Sequence, residues 1–229
     1  MLKKTRNLLM AVLAMAALTI VGCSDDDDNG LNSQPTSRVM VVHASPDAPG
    51  VDILVDGSTA VSGLLFAQST GYVPLNAGDR LVKVRAVPTG DTVISATLPL
   101  LAGRDYTVFA INSVANIEAL VLEDNLSTPA AGKAHVRFVH LSPNAPAVDV
   151  AVTGGGVLFG DATFREVQGF APVDAGTYNL EVRLAGQSTV VLPLPGITLS
   201  AGTIYTVYAK GFVGGTGSQA LGAEIIVNN

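Results

Sequence analysis

The segment "HASPDAPGVD", residues 43–52, returns as "HLSPNAPAVD", residues 140–149. Around it, "RVMVVHASPDAPGVDILVDG" aligns with "HVRFVHLSPNAPAVDVAVTG". Further on, "YVPLNAGD" aligns with "FAPVDAGT" and "LLAGRDYTVFAI" with "LSAGTIYTVYAK", while the offset drifts only from 97 to 99. Self-similarity with order and spacing kept this closely means one supersecondary plan used twice. Each unit is long enough to bury a core of its own. The repeat sets the boundaries: 38–124 for the first unit, 125–133 ("NLSTPAAGK") for a linker, and 134–229 for the second. Each unit is expected to fold when expressed alone.

Both units read as strands. In "YNLEVRL", Tyr178, Leu180, Val182 and Leu184 alternate with Asn179, Glu181 and Arg183, a period-two pattern with one wet face. "VDILVD" and "VDVAV" alternate likewise, and "YTVFAI" and "YTVYAK" are short, β-branched and aromatic. Turn residues interrupt the chain every 8–12 positions or so, and no amphipathic helix is evident. About seven strands per unit follow. The expected fold is all-β, two tandem antiparallel β-sandwiches of immunoglobulin-like or transthyretin-like type.

The N-terminal end has a different logic. Lys3, Lys4 and Arg6 precede the short apolar run "LLMAVLAMAALTIV", the layout of a secretory signal and too short for a comfortable membrane span. It closes on "IVGC", residues 20–23, which resembles the lipobox of bacterial lipoproteins. That resemblance implies removal of residues 1–22, a diacylglycerol thioether on Cys23 and acylation, with palmitate or a similar chain, of the new amino terminus. Cys23 is the chain's single cysteine, so no intramolecular disulfide competes for it. Several acyl chains anchor far more firmly than one. Residues 23–37 carry four consecutive aspartates that repel one another, and they read as a disordered tether. "CSDDDD" also resembles an acidic signal that exports lipoproteins to the cell surface, and Ser24 fits ordinary outer-membrane sorting. Both place the protein on the outer membrane, on its periplasmic or its external face.

Loss of Lys3, Lys4 and Arg6 leaves 10 basic against 19 acidic residues, a net charge of −9 with neutral histidines. No basic cluster remains to meet phosphates, which sets nucleic acid aside as a partner. Together, the doubled "H-x-S-P-[DN]-A-P-x-V-D", the "AG-x-Y" hairpins and the lipoprotein leader resemble the bacterial envelope family catalogued as domain of unknown function 4397. The resemblance covers essentially the whole mature chain in two copies. It implies an envelope compartment and a sandwich, and no reaction.

The repeated motif has a structural reading and a chemical one. Pro46, Pro49, Pro143 and Pro146 fix φ, remove amide donors and push the preceding residues toward extended conformations. Such a segment makes a stiff corner between the first two strands. Asp47 and Asn144 share one slot, and either side-chain oxygen can accept a local amide in an Asx turn. A metal site that relied on carboxylate charge would not exchange Asp for Asn there. Val136, Phe138 and His140 share one strand face while His135, Arg137 and Val139 take the other, so the motif histidine points with core residues. Asp149, opposite Val148 and Val150, is expected to look outward. A neutral histidine hydrogen-bonded to corner backbone is the main reading. The chemical alternative is a site formed by His43, Asp52, His140 and Asp149, if a bulge turns one of these side chains over.

Other chemistry is sparse. Three histidines, one cysteine and no H-E-x-x-H pattern offer little to a transition metal. There is no nucleophile elbow, P-loop or dinucleotide fingerprint. Asp124, Asp161 and Asp174 lack EF-hand spacing. "GGTGSQALG", residues 214–222, lies between two late strands and reads as a mobile hairpin loop. The expectation is a non-catalytic, cofactor-free, lipid-anchored envelope protein whose sandwiches serve interaction or architecture. The other expectation is a module for a glycan or another extracellular ligand, with Tyr72, Tyr208 and Phe212 as stacking surfaces in a chain without tryptophan.

Overall fold

The β-branched segments of each repeat assemble into two four-stranded sheets. The computed structural model describes residues 34–87 and 89–229; the leader, Cys23 and the aspartate run of the tether lie outside the described residues, while Thr36 and Ser37, expected in the tether, belong to the first strand. In the first repeat the strands are β1 (Thr36–His43), β2 (Val51–Val55), β3 (Ser58–Leu64), β4 (Ser69–Asn76), β5 (Gly78–Ala86), β6 (Thr92–Leu100), β7 (Asp105–Ile111) and β8 (Glu118–Asp124). The second repeat supplies β9 (Lys133–His140), β10 (Val148–Val152), β11 (Val157–Ala162), β12 (Val167–Asp174), β13 (Gly176–Leu184), β14 (Val190–Leu199), β15 (Ile204–Lys210) and β16 (Gly222–Val227). Sheet β4-β1-β7-β8 faces sheet β3-β2-β5-β6, and β12-β9-β15-β16 faces β11-β10-β13-β14 in the same order.

Both sandwiches are therefore present, with eight strands each where periodicity predicts about seven. The weakest signal belongs to β3, "STAVSGL", a polar edge strand that buries little beyond Leu64. Strands β1 and β2 lie in opposite sheets, and β1 runs parallel to β7. The immunoglobulin arrangement keeps its first two strands in one sheet. Of the two expected types, the immunoglobulin one is therefore excluded.

The inner sheets are covered on both faces. One face of β1 and β7 (Val39, Tyr106, Val108, Ala110) packs with β2, β5 and β6, and the matching face of β9 and β15 (Val136, Phe138, Val207) packs with β10 and β13. The opposite faces meet each other. Met40, Val42, Phe109 and Ile111 of the first repeat form one core with Val139, Leu141, Tyr208 and Ile226 of the second. The parallel pairs β1/β7 and β9/β15 are thus sandwiched between layers, as parallel strands usually are. Residues Gln34–Asn229 form one compact unit. The face of β9 that carries Arg137 and Val139 is not wet, because the other copy covers it. The expectation that each half folds by itself rests on two separate cores and a polar linker, and an apolar interface between the copies such as this third core counts against it.

The third core pairs equivalent positions. Phe109 and Tyr208 occupy the same place in their repeats and meet edge to face, with ring centroids 5.7 Å apart. Thr107 and Thr206 are likewise equivalent, and both bond the Arg137 guanidinium. Two equivalences are broken. Arg137 stands where the first repeat has Met40, and Asp124 stands where the second has Asn228. Arg137 and Asp124 form an ion pair at 2.5 Å with side chains 3% and 0% exposed. Tyr72 donates to Asp124 at 2.6 Å, Asn228 donates to the Tyr72 hydroxyl at 3.1 Å, and Arg137 lies over the Phe170 ring. The pair is enclosed by hydrogen-bonding partners, the condition under which a buried charge pair is tolerated.

Candidate functional site

The repeated motif leaves β1 and β9 at the histidine and crosses to the opposite sheet at β2 and β10, so it is a corner in both copies. His43 and His140 are fully buried. His43 Nε2 lies 3.0 Å from the Pro49 carbonyl and His140 Nε2 lies 3.2 Å from the Pro146 carbonyl. An N–H on Nε2 donates to that carbonyl, which leaves Nδ1 as an acceptor. In the first copy the Ser45 amide donates to it at 3.4 Å. Burial pushes both imidazoles below the ordinary histidine value, against the opposing effect of the proline carbonyl, so they are neutral near pH 7.

The Asp/Asn slot works differently from the expected Asx turn. Asp47 Oδ1 accepts the Val114 amide at 2.7 Å, and Asn144 Oδ1 accepts the Val213 amide at 2.9 Å. Both acceptors reach over to the loop that follows the seventh strand of their repeat. Asn144 also donates Nδ2 to the Val213 carbonyl at 3.1 Å. The slot needs one side-chain oxygen, which either residue supplies. That is why the exchange is tolerated.

Asp52 and Asp149 serve the neighbouring edge strand. Asp52 Oδ1 accepts the Gly63 amide at 2.8 Å, and Asp149 Oδ1 accepts the Asp161 amide at 2.7 Å. Gly63 and Asp161 both have positive φ, at 66° and 54°, and sit where the pairing of β3 with β2 and of β11 with β10 slips register. A bulge leaves an amide without a ladder partner, and the aspartate takes it. Asp149 also accepts the Gly186 amide at 2.9 Å and is only 7% exposed. It is buried rather than outward-looking, because the bulge and the β13–β14 turn close over it.

Among the described residues, His43, Asp52, His140 and Asp149 each bond main-chain groups and none bonds another of the four. Asp124 is paired with Arg137 and Asp174 with Lys133. Among those same residues no three His, Cys, Asp or Glu side chains gather as a ligand set. Of the three aromatics proposed for stacking, Tyr208 is fully buried between the copies, Tyr72 is held by Asp124, and Phe212 is half-buried. One pair of residues escaped sequence reading. Tyr106 and Tyr205 accept the Leu101 and Ser200 amides at 3.1 and 3.0 Å, closing the "AG-x-x-Y" turns. The signal was present in the doubled tyrosine itself.

Acid is expected to weaken the corners. Unfolded histidine takes a proton near pH 6.5, whereas the buried rings resist it. Stability is then full above about pH 6.5 and falls as pH drops below it, by up to about 1.4 kcal/mol per pH unit for each ring. Thermal unfolding between pH 7.5 and 5 should show this fall, and the double variant His43→Gln/His140→Gln should flatten it. Each substitution costs about 1–3 kcal/mol by leaving a buried polar group poorly paired. Asp47→Asn should cost much less. An equally steep profile in the double variant would contradict the assignment.

A family model described as Domain of unknown function (DUF4397) matches residues 37–151, half of the chain. Among curated proteins none matches. Among solved structures, the chain is similar to a family 26 carbohydrate-binding module from Amy13K of Eubacterium rectale, solved in complex with maltoheptaose. That overlay covers 82% of this chain and 96% of that one, at 11% identity and a TM-score of 0.26. So loose an overlay supports no conclusion about fold or ligand.

Proposed function

We propose that this chain, which belongs to the DUF4397 family, is a non-catalytic protein of the cell envelope that presents two sandwiches as one rigid body. Its work is interaction or architecture. The core shared between the repeats carries this reading, because it fixes the two copies in one arrangement. The motif residues that would be the chain's best catalytic candidates are all occupied by main-chain partners, which favours a structural role for them. The "IVGC" leader and the single cysteine support a lipid anchor on Cys23 in the outer membrane, with the acidic segment as the spacer. A glycan remains the other partner class raised by the sequence, and it would require contact residues other than Tyr72 and Tyr208.

The anchoring half of this proposal has a direct test. Wild-type protein should label with palmitate and fractionate with membranes. Cys23→Ser should be unlabelled and soluble, with an unchanged melting temperature. An unlabelled, soluble wild type would remove the anchor from the proposal.

A further inference from the structure

The two sandwiches differ at the end where their corners lie. Strand β7 is joined to β8 by a short turn, whereas β15 is joined to β16 by a loop five residues longer. Ile117, just before β8, packs against the core of the first sandwich. Leu221, the corresponding residue before β16, instead lines a cavity of about 310 Å³ in the second. Pro146 and Val148 from the corner, Val182 and Leu192 from the outer sheet, and Val213 from the longer loop complete most of its wall. A cavity within the core of the first sandwich holds only about 40 Å³.

The loop is a built wall and not the mobile hairpin that its glycines suggest. The Phe212 amide donates to Gln219 at 2.8 Å, Gly215 donates to Phe212 at 3.0 Å, and Asn144 clamps Val213. Gly211 has φ 78°, and a Cβ there would fall 2.1 Å from the Ala220 carbonyl oxygen, so only glycine permits this closure. Val213 and Val191 remain 48% and 37% exposed at the cavity's rim, which leaves apolar surface open to solvent.

We infer that the end of the second sandwich is a binding site for a neutral, largely hydrocarbon ligand. No Lys, Arg, Asp or Glu lines the cavity. A charged group would have to give up its hydration there without a partner. The one titratable lining residue, His140, already donates to Pro146. An apolar cavity of about 150 Å³ accommodates benzene, and ligand pockets begin near 300 Å³. The space therefore suits a short acyl chain or a fused aromatic pair. The site is independent of whether Cys23 is acylated.

The test uses the intact protein and the neutral probe N-phenyl-1-naphthylamine, followed by its own fluorescence. Wild type should bind one probe saturably, and 1-decanol should displace it while maltose should not. Val191→Trp and Leu221→Trp, which fill the cavity from two sides, should each weaken binding at least tenfold. Val93→Trp, at the position in the first sandwich corresponding to Val191, should leave it unchanged. Melting curves of all three variants identify any that fail to fold. Absence of saturable binding to wild type would overturn the inference, as would full binding by both filled variants or displacement by maltose alone.

Discussion

Arg137→Ala is expected to cost about 3–5 kcal/mol of stability, among the largest effects of any single substitution in this chain. The guanidinium is buried between the copies and bonds Asp124, Thr107 and Thr206. Its removal leaves the Asp124 carboxylate enclosed with only the Tyr72 and Thr107 hydroxyls for partners. Asp124→Ala should cost a similar amount for the converse reason. The double variant Arg137→Met/Asp124→Asn gives each position the residue that its equivalent already carries, Met40 and Asn228. It removes both charges together and should recover most of the loss, since replacing a buried pair whole is often near neutral. Urea midpoints at constant slope measure this. Single variants costing under about 1 kcal/mol, or a double variant no better than the singles, would show that the pair is not enclosed as described.

Separating the repeats should be more damaging still. Residues 34–127 and 128–229, expressed alone, each uncover the face that carries Phe109 and Ile111 or Leu141 and Tyr208. Fully burying one such side chain contributes about 1.5–3 kcal/mol, so an exposed face of this kind favours association. Homotypic pairing is poorly satisfied, however. Two copies of the second half would bury two Arg137 with no carboxylate facing them, and two of the first would bury two Asp124 with no cation. Each half alone should therefore precipitate or self-associate weakly, while the halves together should give a 1:1 complex. Size-exclusion chromatography with light scattering distinguishes these outcomes. Two soluble, cooperatively folded monomers that ignore each other would contradict the shared core.

Much of the fold was legible in the sequence, because a period-two pattern reports one buried face well. Alternation puts Val136, Phe138 and His140 together on the core side of β9, where His140 is fully buried. The same reasoning could not see that Arg137 and Val139 face a second buried surface. An arginine in an alternating strand looks like a solvent marker until its partner, 13 residues away in another strand, is placed beside it. The corner was legible through its prolines, which restrict the backbone locally. Its side-chain partners were not, since Asp47 and Asn144 bond amides 67 and 69 residues away. Asp149 is buried where alternation predicts exposure, because a strand's alternation says nothing of a bulge in its neighbour. The cavity could not be foreseen either, because it follows from a five-residue difference in loop length between otherwise matching copies.

The shared core makes the two repeats one body, and calorimetry of the intact protein reads this out. A unit spanning residues 34–229 should unfold in one transition with matching calorimetric and van't Hoff enthalpies of about 140 kcal/mol. Two transitions, or a van't Hoff enthalpy near 70 kcal/mol for each half, would mean that the sandwiches are independent domains on a common chain.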